Sequence, residues 1–490
     1  MICYARVRAM KVVQSGALVA LGALAGCAAG PDYARPAIEV PDAYKEASDW
    51  RTAEPRDDER RGEWWTVYGD PELNALEARV TKGNQTLIAA EASYRSAAAI
   101  ARQAEASLWP TVGLEAGITR SQQATGISRS TTGSQTVVTA KGPTTLRSAQ
   151  LTASWELDLW GGLRRAAEGG RASAAASLAD YEAAKLSIAA ELATDYFELR
   201  VADATRALLD ETVAGYQRSL AITQNQYAAG VAGRVDVAEA ETQLKATQAQ
   251  AVDVGVQRAQ LEHAIAILVG VAPAQFSIAP QPNWQPRLPA VPAVVASGLL
   301  ERRPDVAAAE RRVAAANAQI GVASAAWYPT LSLSAAGGYE SLAASHWFSL
   351  PNRFWSVGPA LAATLFDAGR RHAVSDQARA GYDEAVANYR QTALQAFQDV
   401  EDSLVALRLL QEEVGLQQQA VAAARESAAL TLNQYKAGTV NFLSVVTVQS
   451  TALANERTAL ALVGRQLTAS VGLIRGLGGG WQPGPSGPAE

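Results

Sequence analysis

Four stretches of the chain alternate apolar and polar residues with period two. They run over about Thr111–Gln122, Leu146–Leu159, Thr330–Glu340 and Trp355–Phe366. Val112, Leu114, Ala116 and Ile118 fall on one face of the first. Leu151, Ala153, Trp155, Leu157 and Leu159 do so in the second. Leu331, Leu333 and Ala335 share a face of the third, and Val357, Leu361, Ala363 and Leu365 one of the fourth. Such alternation marks a β-strand whose two faces meet different surroundings. Strands of soluble sheets average about 5–6 residues, whereas about 10 is the length that crosses a bilayer. Trp109, Trp155, Trp160, Trp327, Tyr328, Trp347, Trp355 and Phe366 lie at or near the strand ends, where an aromatic girdle would sit. Ala124–Pro143 and Leu342–Arg353 read as exposed loops joining the strands in pairs.

The rest reads as helix. Gly162 to Gly230 and Gly369 to Gly438 contain no proline. Unbroken, each would reach roughly 100 Å at about 1.5 Å per residue. Tyr382, Val386, Tyr389, Ala393, Ala396, Val400, Ser403 and Leu407 alternate spacings of four and three, a heptad stripe that predicts coiled-coil packing. Return helices follow over about Val235–Val269 and Asn441–Leu477. Lead-in helices precede the strands over about Leu73–Leu108 and Pro304–Ala326. Pro304, Asp305 and Glu310 suit a helix N-terminus.

The pattern is written twice. Asn225-Gln226-Tyr227-Ala228-Ala229-Gly230 recurs as Asn433-Gln434-Tyr435-Lys436-Ala437-Gly438, and Trp109-Pro110-Thr111 as Tyr328-Pro329-Thr330. This predicts repeats over 73–270 and 304–477, an N-terminal segment over 27–72, an insert over 271–303 and a loose tail over 478–490. The proline- and tryptophan-bearing stretches Pro31–Trp65 and Val271–Pro292 hold corresponding places, as a belt around the middle of the helices.

Four strands cannot close a barrel, and an open edge in lipid leaves backbone groups unpaired at several kcal/mol each. The chain must therefore associate. Two copies give 8 strands and a filled interior; three give 12 and room for a pore. The long helices would then continue the barrel as a tube.

Composition narrows the function. Of 490 residues, 48% are hydrophobic and 19% charged, with a formal net charge of -5, so no basic face for nucleic acid is expected. The only cysteines, Cys3 and Cys27, lie near the N-terminus, as do both methionines, Met1 and Met10, either of which can be the start. Arg6, Arg8 and Lys11 precede an apolar stretch from Gly16 to Gly26 that is too short to span a membrane. It ends in Leu24-Ala25-Gly26-Cys27, which resembles a bacterial lipoprotein signal. That resemblance implies cleavage after residue 26, and a diacylglycerol and an N-acyl chain on Cys27. Ala28 after the cysteine favours the outer membrane. Removing residues 1–26 takes away three basic groups and no acid, so the remainder is more negative, at -8. His263, His346 and His372 have no partner at metal-ligand spacing, and Asp399 and Asp402 flank the heptad stripe. No cofactor, metal site or catalysis is expected.

Trp64-Trp65, Gly69-Asp70-Pro71-Glu72-Leu73, Arg302-Arg303-Pro304-Asp305-Val306 and Ala316-Asn317-Ala318-Gln319-Ile320-Gly321 carry a further likeness, with the two Tyr-x-x-Gly tips and Leu477-Gly478-Gly479-Gly480-Trp481. In order, they resemble the outer membrane factor family of TolC-like and OprM-like efflux ducts, and its NodT-type lipoproteins. The resemblance implies a mainly α chain with membrane β structure. It implies a homotrimer with a 12-strand barrel, an α-helical periplasmic barrel and an equatorial domain. It also implies docking on a periplasmic membrane-fusion adaptor and an inner-membrane pump, commonly of the resistance-nodulation-division type. Passive drug or small-molecule export is expected, with type I protein secretion as the alternative. A coiled-coil lipoprotein without a barrel would leave the four strands unexplained.

The resemblance also implies that the tips at Gly230, Val231, Gly438 and Thr439 touch the adaptor. Acids six and nine residues after the tip glycine can ring the entrance; here these are Asp236 and Glu239. The second half has Ser444 and Thr447 instead. Tyr435 matches a tyrosine that links neighbouring helices, and Leu443 an apolar constriction.

Overall fold

The computed structural model describes residues 28–38, 62–122, 143–289 and 303–479. The signal segment, Cys27, most of the first strand-joining loop, Arg302 and Trp481 lie outside them. The elements in chain order are α1 (Pro71–Gly83), α2 (Gln85–Ala106), β1 (Thr111–Ser121), β2 (Thr144–Leu157), α3 (Gly162–Ala228) and α4 (Arg234–Leu268). Then come α5 (Pro304–Ala325), β3 (Thr330–Ser341), β4 (Arg353–Ala362), α6 (Arg370–Lys436) and α7 (Phe442–Gly476). They form two compact units: residues 1–35, 96–175 and 311–386, and residues 36–95, 176–310 and 387–490.

The first unit holds an antiparallel sheet in the order β1-β2-β3-β4. Its register sorts the side chains. Val112 pairs with Ala153, Leu114 with Leu151, Leu151 with Gly337, Trp155 with Leu333, Ala335 with Val357, and Leu331 with Leu361. These residues share one face. The other carries Gly113 opposite Thr152, Glu115 opposite Gln150, and Ser334 opposite both Ser154 and Gly358. Gln150 donates to Glu115 at 2.7 Å. Val112, Leu114, Val357 and Leu361 are all exposed in the single chain. An apolar face and a polar face of this extent are those of a strand set with lipid on one side and water on the other.

The fourth strand ends at Ala362, short of the Phe366 that alternation predicts. Ala362 pairs with Thr330, the first residue of β3, and Pro329 before it has no N–H to extend the ladder. Alternation thus outlasts the strand that could pair with it, and Leu365 and Phe366 are exposed.

The second unit has its core where α3, α1, α4 and α7 meet. Leu192, Tyr196, Phe197 and Leu199 pack with Leu73, Leu76, Val80, Ile265, Leu467 and Ile474, all buried. On α6, Tyr389, Ala393, Ala396, Val400 and Leu407 are buried, which is the heptad stripe.

The first lead-in helix is not continuous, as Leu73–Leu108 predicts, but breaks at Asn84. Gly83 lies against the end of α4 so closely that a Cβ would sit 2.3 Å from the Val269 carbonyl oxygen. One on Gly270 would sit 2.0 Å from that of Gly83. Asn84 then starts α2: its Oδ1 accepts from Leu87 N–H at 3.0 Å and its Nδ2 donates to the Leu268 carbonyl at 2.8 Å. A short amide thus closes one helix, caps the next and ties both to a third. Arg303, just before α5, takes the same position in the second half. It donates to the carbonyl of Gly476 at the end of α7, and pairs with Asp305 at 2.7 Å and Asp399 at 3.0 Å.

Candidate functional site

Both helix tips lie in the second unit and close in the same way. Gly230 N–H donates to the Tyr227 carbonyl, and Val231 N–H reaches back to Gln226. Gly438 and Thr439 repeat these bonds to Tyr435 and Gln434. This is the Schellman ending, which needs a left-handed residue after the helix. Gly230 (φ +74) and Gly438 (φ +75) supply it, with nothing within 4 Å of where a Cβ would be. Val231 is 73% exposed, and Thr439 is exposed with its hydroxyl bonded to Gln434.

The two return helices start differently. At the first, Asp236 Oδ2 accepts from Gly233 N–H at 2.8 Å. At the second, Asn441 Oδ1 accepts from Ser444 N–H at 3.1 Å and bonds the Ser444 hydroxyl at 2.7 Å. The cap comes from the third helical residue in one half and from the residue before the helix in the other. Asp236 and Ser444 are therefore exchanged together with Gly233 and Asn441. The acid at the first tip holds a helix end, a role that its spacing from Gly230 does not disclose.

Tyr435 is buried between helices. Its hydroxyl donates to Thr223 Oγ1 at 3.3 Å, joining α6 to α3, and its ring meets Phe442 edge-on at 5.2 Å. Ala240, Phe442 and Val445 complete this cluster. Burial raises the pKa of the Tyr435 phenol, and the nearby Asp236 carboxylate adds to the rise. So the structure brings Asp236 and Tyr435 together. Glu239 lies one turn further on; its Oε2 is buried without a hydrogen-bond partner among the described residues. Leu443 stands apart, 54% exposed.

The sequence motifs turn out to fasten the middle of the helices. Asp70 caps α1 through Glu72 and Leu73 N–H, and its other oxygen accepts from the Tyr196 hydroxyl at 2.8 Å. Arg200, wholly buried on α3, donates to Glu72 at 2.6 Å, Asp203 at 2.9 Å and the Ala279 carbonyl. Arg258 on α4 pairs with Asp203 at 2.6 Å and bonds the Ile278 carbonyl. Two arginines thus strap residues 278–281 of the insert onto the long helices.

In the first unit, Arg165 on α3 is buried. It reaches Asp32 at 2.7 Å, Glu168 at 2.8 Å and the Ala29 carbonyl at 3.3 Å. Asn317 on α5 donates to the Pro31 carbonyl at 3.0 Å, and Ala29 N–H to the Trp160 carbonyl at 2.8 Å. Gly321 leaves room for this strap, since its Cβ would sit 2.7 Å from Arg165. The only signal for Arg165 and Arg200 in the sequence is a basic residue on an otherwise Ala- and Leu-rich helix face. Among the described residues no group of His, Cys, Asp and Glu could hold a metal, and no helix is long and apolar enough to cross a membrane.

A family model described as "Outer membrane efflux protein" matches residues 78–271 and 295–479. The chain is 33% identical over 422 residues to the pyoverdine export outer membrane protein OpmQ of Pseudomonas aeruginosa, covering 86% of this chain and 88% of that one. It is 28% identical over 462 residues to the cation efflux system protein CusC of Escherichia coli strain K12, covering 94% and 97%. Among solved structures it resembles the outer-membrane channel OprN, with a TM-score of 0.83 and 30% identity, over 93% of this chain and all of that one.

Proposed function

The chain belongs to the outer membrane efflux protein family, and from that premise we propose how it works. It is an outer membrane efflux channel of a tripartite system, with a periplasmic extension. One observation carries the finer reading: a four-strand sheet, apolar on one face and polar on the other, with β1 and β4 each left unpaired along an outer edge. In lipid those edges must be satisfied. Three copies joined β4 to β1 would close 12 strands around a water-filled lumen lined by the polar face. The helices would line the lower duct. The Schellman tips at Gly230, Val231, Gly438 and Thr439 would meet a periplasmic adaptor, and Asp236, Glu239, Tyr435 and Leu443 would shape the entrance.

The family is one of transport channels, and the duct performs no catalytic step in this reading. An inner-membrane pump, of the resistance-nodulation-division type, supplies the energy; solutes pass the open duct by diffusion. Small-molecule export is favoured because relatives are named for small cargo, pyoverdine and cations. Cys27 carries the lipid anchor, and the strap at 29–32 holds the segment after it against Trp160 and α5.

The test is the mass of the unheated, detergent-extracted protein from outer membranes. A species of three chains is expected. A monomer in the soluble fraction would overturn the barrel. Replacing Cys27 with Ser should leave the protein embedded, because the strands hold it there.

A further inference from the structure

Charge on the sheet is sorted as strictly as polarity. Alternation places Arg120 of β1, Arg147 of β2 and Arg353 of β4 on the apolar face: Arg120 opposite Thr145, Arg147 opposite Ile118, Arg353 opposite Tyr339. The glutamates of these strands, Glu115, Glu156 and Glu340, all alternate to the polar face. The apolar face therefore has three cations and no acid.

All three arginines sit at the end of the sheet where the strands are joined by loops, away from the helices. From Val112 to Arg120 is about 27 Å along the strand at about 3.4 Å per residue. At a tilt of about 40° that is roughly 20 Å across the membrane, close to the apolar band of about 25 Å. The row thus falls at a boundary of the band. At the opposite end Trp160 stacks on Tyr328 at 4.7 Å. Arg120 and Arg353 are exposed, with no partner among the described residues. Arg147 gives one N–H to the Leu342 carbonyl at 3.0 Å. Phe348, 65% exposed, lies against Tyr339 at 5.6 Å and extends the apolar ground beside Arg353.

A guanidinium at the edge of hydrocarbon is poorly hydrated, and its planar fork matches phosphate oxygens. We propose that this row binds the phosphates of an anionic glycolipid of the outer leaflet, with the acyl chains lying along the apolar face below. The inference rests on the barrel reading, which puts the loop end outside. A zwitterionic lipid would leave the uncompensated row only half matched.

The full-length protein is extracted from outer membranes in mild detergent and washed, and bound phosphorylated glycolipid is counted per chain. The parent is expected to retain it, the R120Q/R353Q variant at least about fivefold less, and R120K/R353K an intermediate amount. The variant's three-chain mass should be unchanged, since both side chains are exposed and neither makes a hydrogen bond or ion pair with a described residue. Stripped parent protein should take up diphosphorylated lipid A in preference to phosphatidylcholine. Equal retention by R120Q/R353Q, or full displacement by about 50 mM inorganic phosphate, overturns the lipid site while leaving the channel intact. Absence of the parent from the outer membrane overturns both.

Discussion

Asp236 has two properties that substitution can separate: a charge near the tip, and an oxygen that closes the start of α4. Asn keeps the oxygen and drops the charge; Ala drops both. Cap removal costs about 1 kcal/mol, roughly fivefold in local opening. D236A should therefore speed hydrogen exchange around Gly233 about fivefold, and D236N should leave it nearly unchanged. If the charge also rings the entrance, both variants lower cation selectivity in planar bilayers. Unchanged selectivity in both would leave Asp236 a helix cap alone. A second residue-scale prediction concerns Glu77, buried on α1, with its carboxyl pushed up to about 9 by burial from an ordinary 4.5. Between those values the folded chain holds a proton that the unfolded chain has released, so this group lowers stability as pH rises. From about pH 5 to pH 8 the melting temperature of the parent should fall more than that of E77Q. Parallel curves would show that Glu77 is ionised or paired in the assembled channel.

At the scale of elements, the strands, the long helices and the turns between them are legible because periodicity and glycine placement are local. Two failures have one cause. The Asn84 break depends on the close approach of Gly83 to Val269 and Gly270, and the end of β4 on where β3 begins. Each is imposed by a segment distant in sequence, which periodicity cannot register. The same holds for Arg200, whose partners Glu72, Asp203 and Ala279 come from three parts of the chain. R200M leaves Asp203 paired with Arg258 but takes the cation from Glu72, and should destabilise the fold by about 1–3 kcal/mol. Limited proteolysis should then cut first within residues 276–289. R165A should free residues 29–32 without unfolding the sheet, read as protease access before Tyr33. Equal resistance to the parent would show that the Asn317 and Trp160 bonds suffice.

At the scale of the whole molecule, the halves keep an offset of 219 residues from α2 and α5 through the first strand of each pair, as in 111 to 330. From the long helices to the tips it is 208, as in 230 to 438. The difference is absorbed between the paired strands, where the first loop is the longer. From α2 and α5 onward the described elements of the two halves coincide in order, so the doubling was visible in the sequence. What it could not reveal is that matching positions perform the same task with different chemistry, as Asn84 and Arg303 do. The tips differ likewise: one helix start is closed by a carboxylate, the other by an amide. Around the proposed threefold axis, six seats of near-identical shape would alternate in sign, three with Asp236 and Glu239 outweighing Arg234 and three with Lys436 and no acid. A docking ring of six identical subunits would then find two classes of seat, and added salt should loosen one class before the other. Binding to such a duct would show two steps where its outline suggests one.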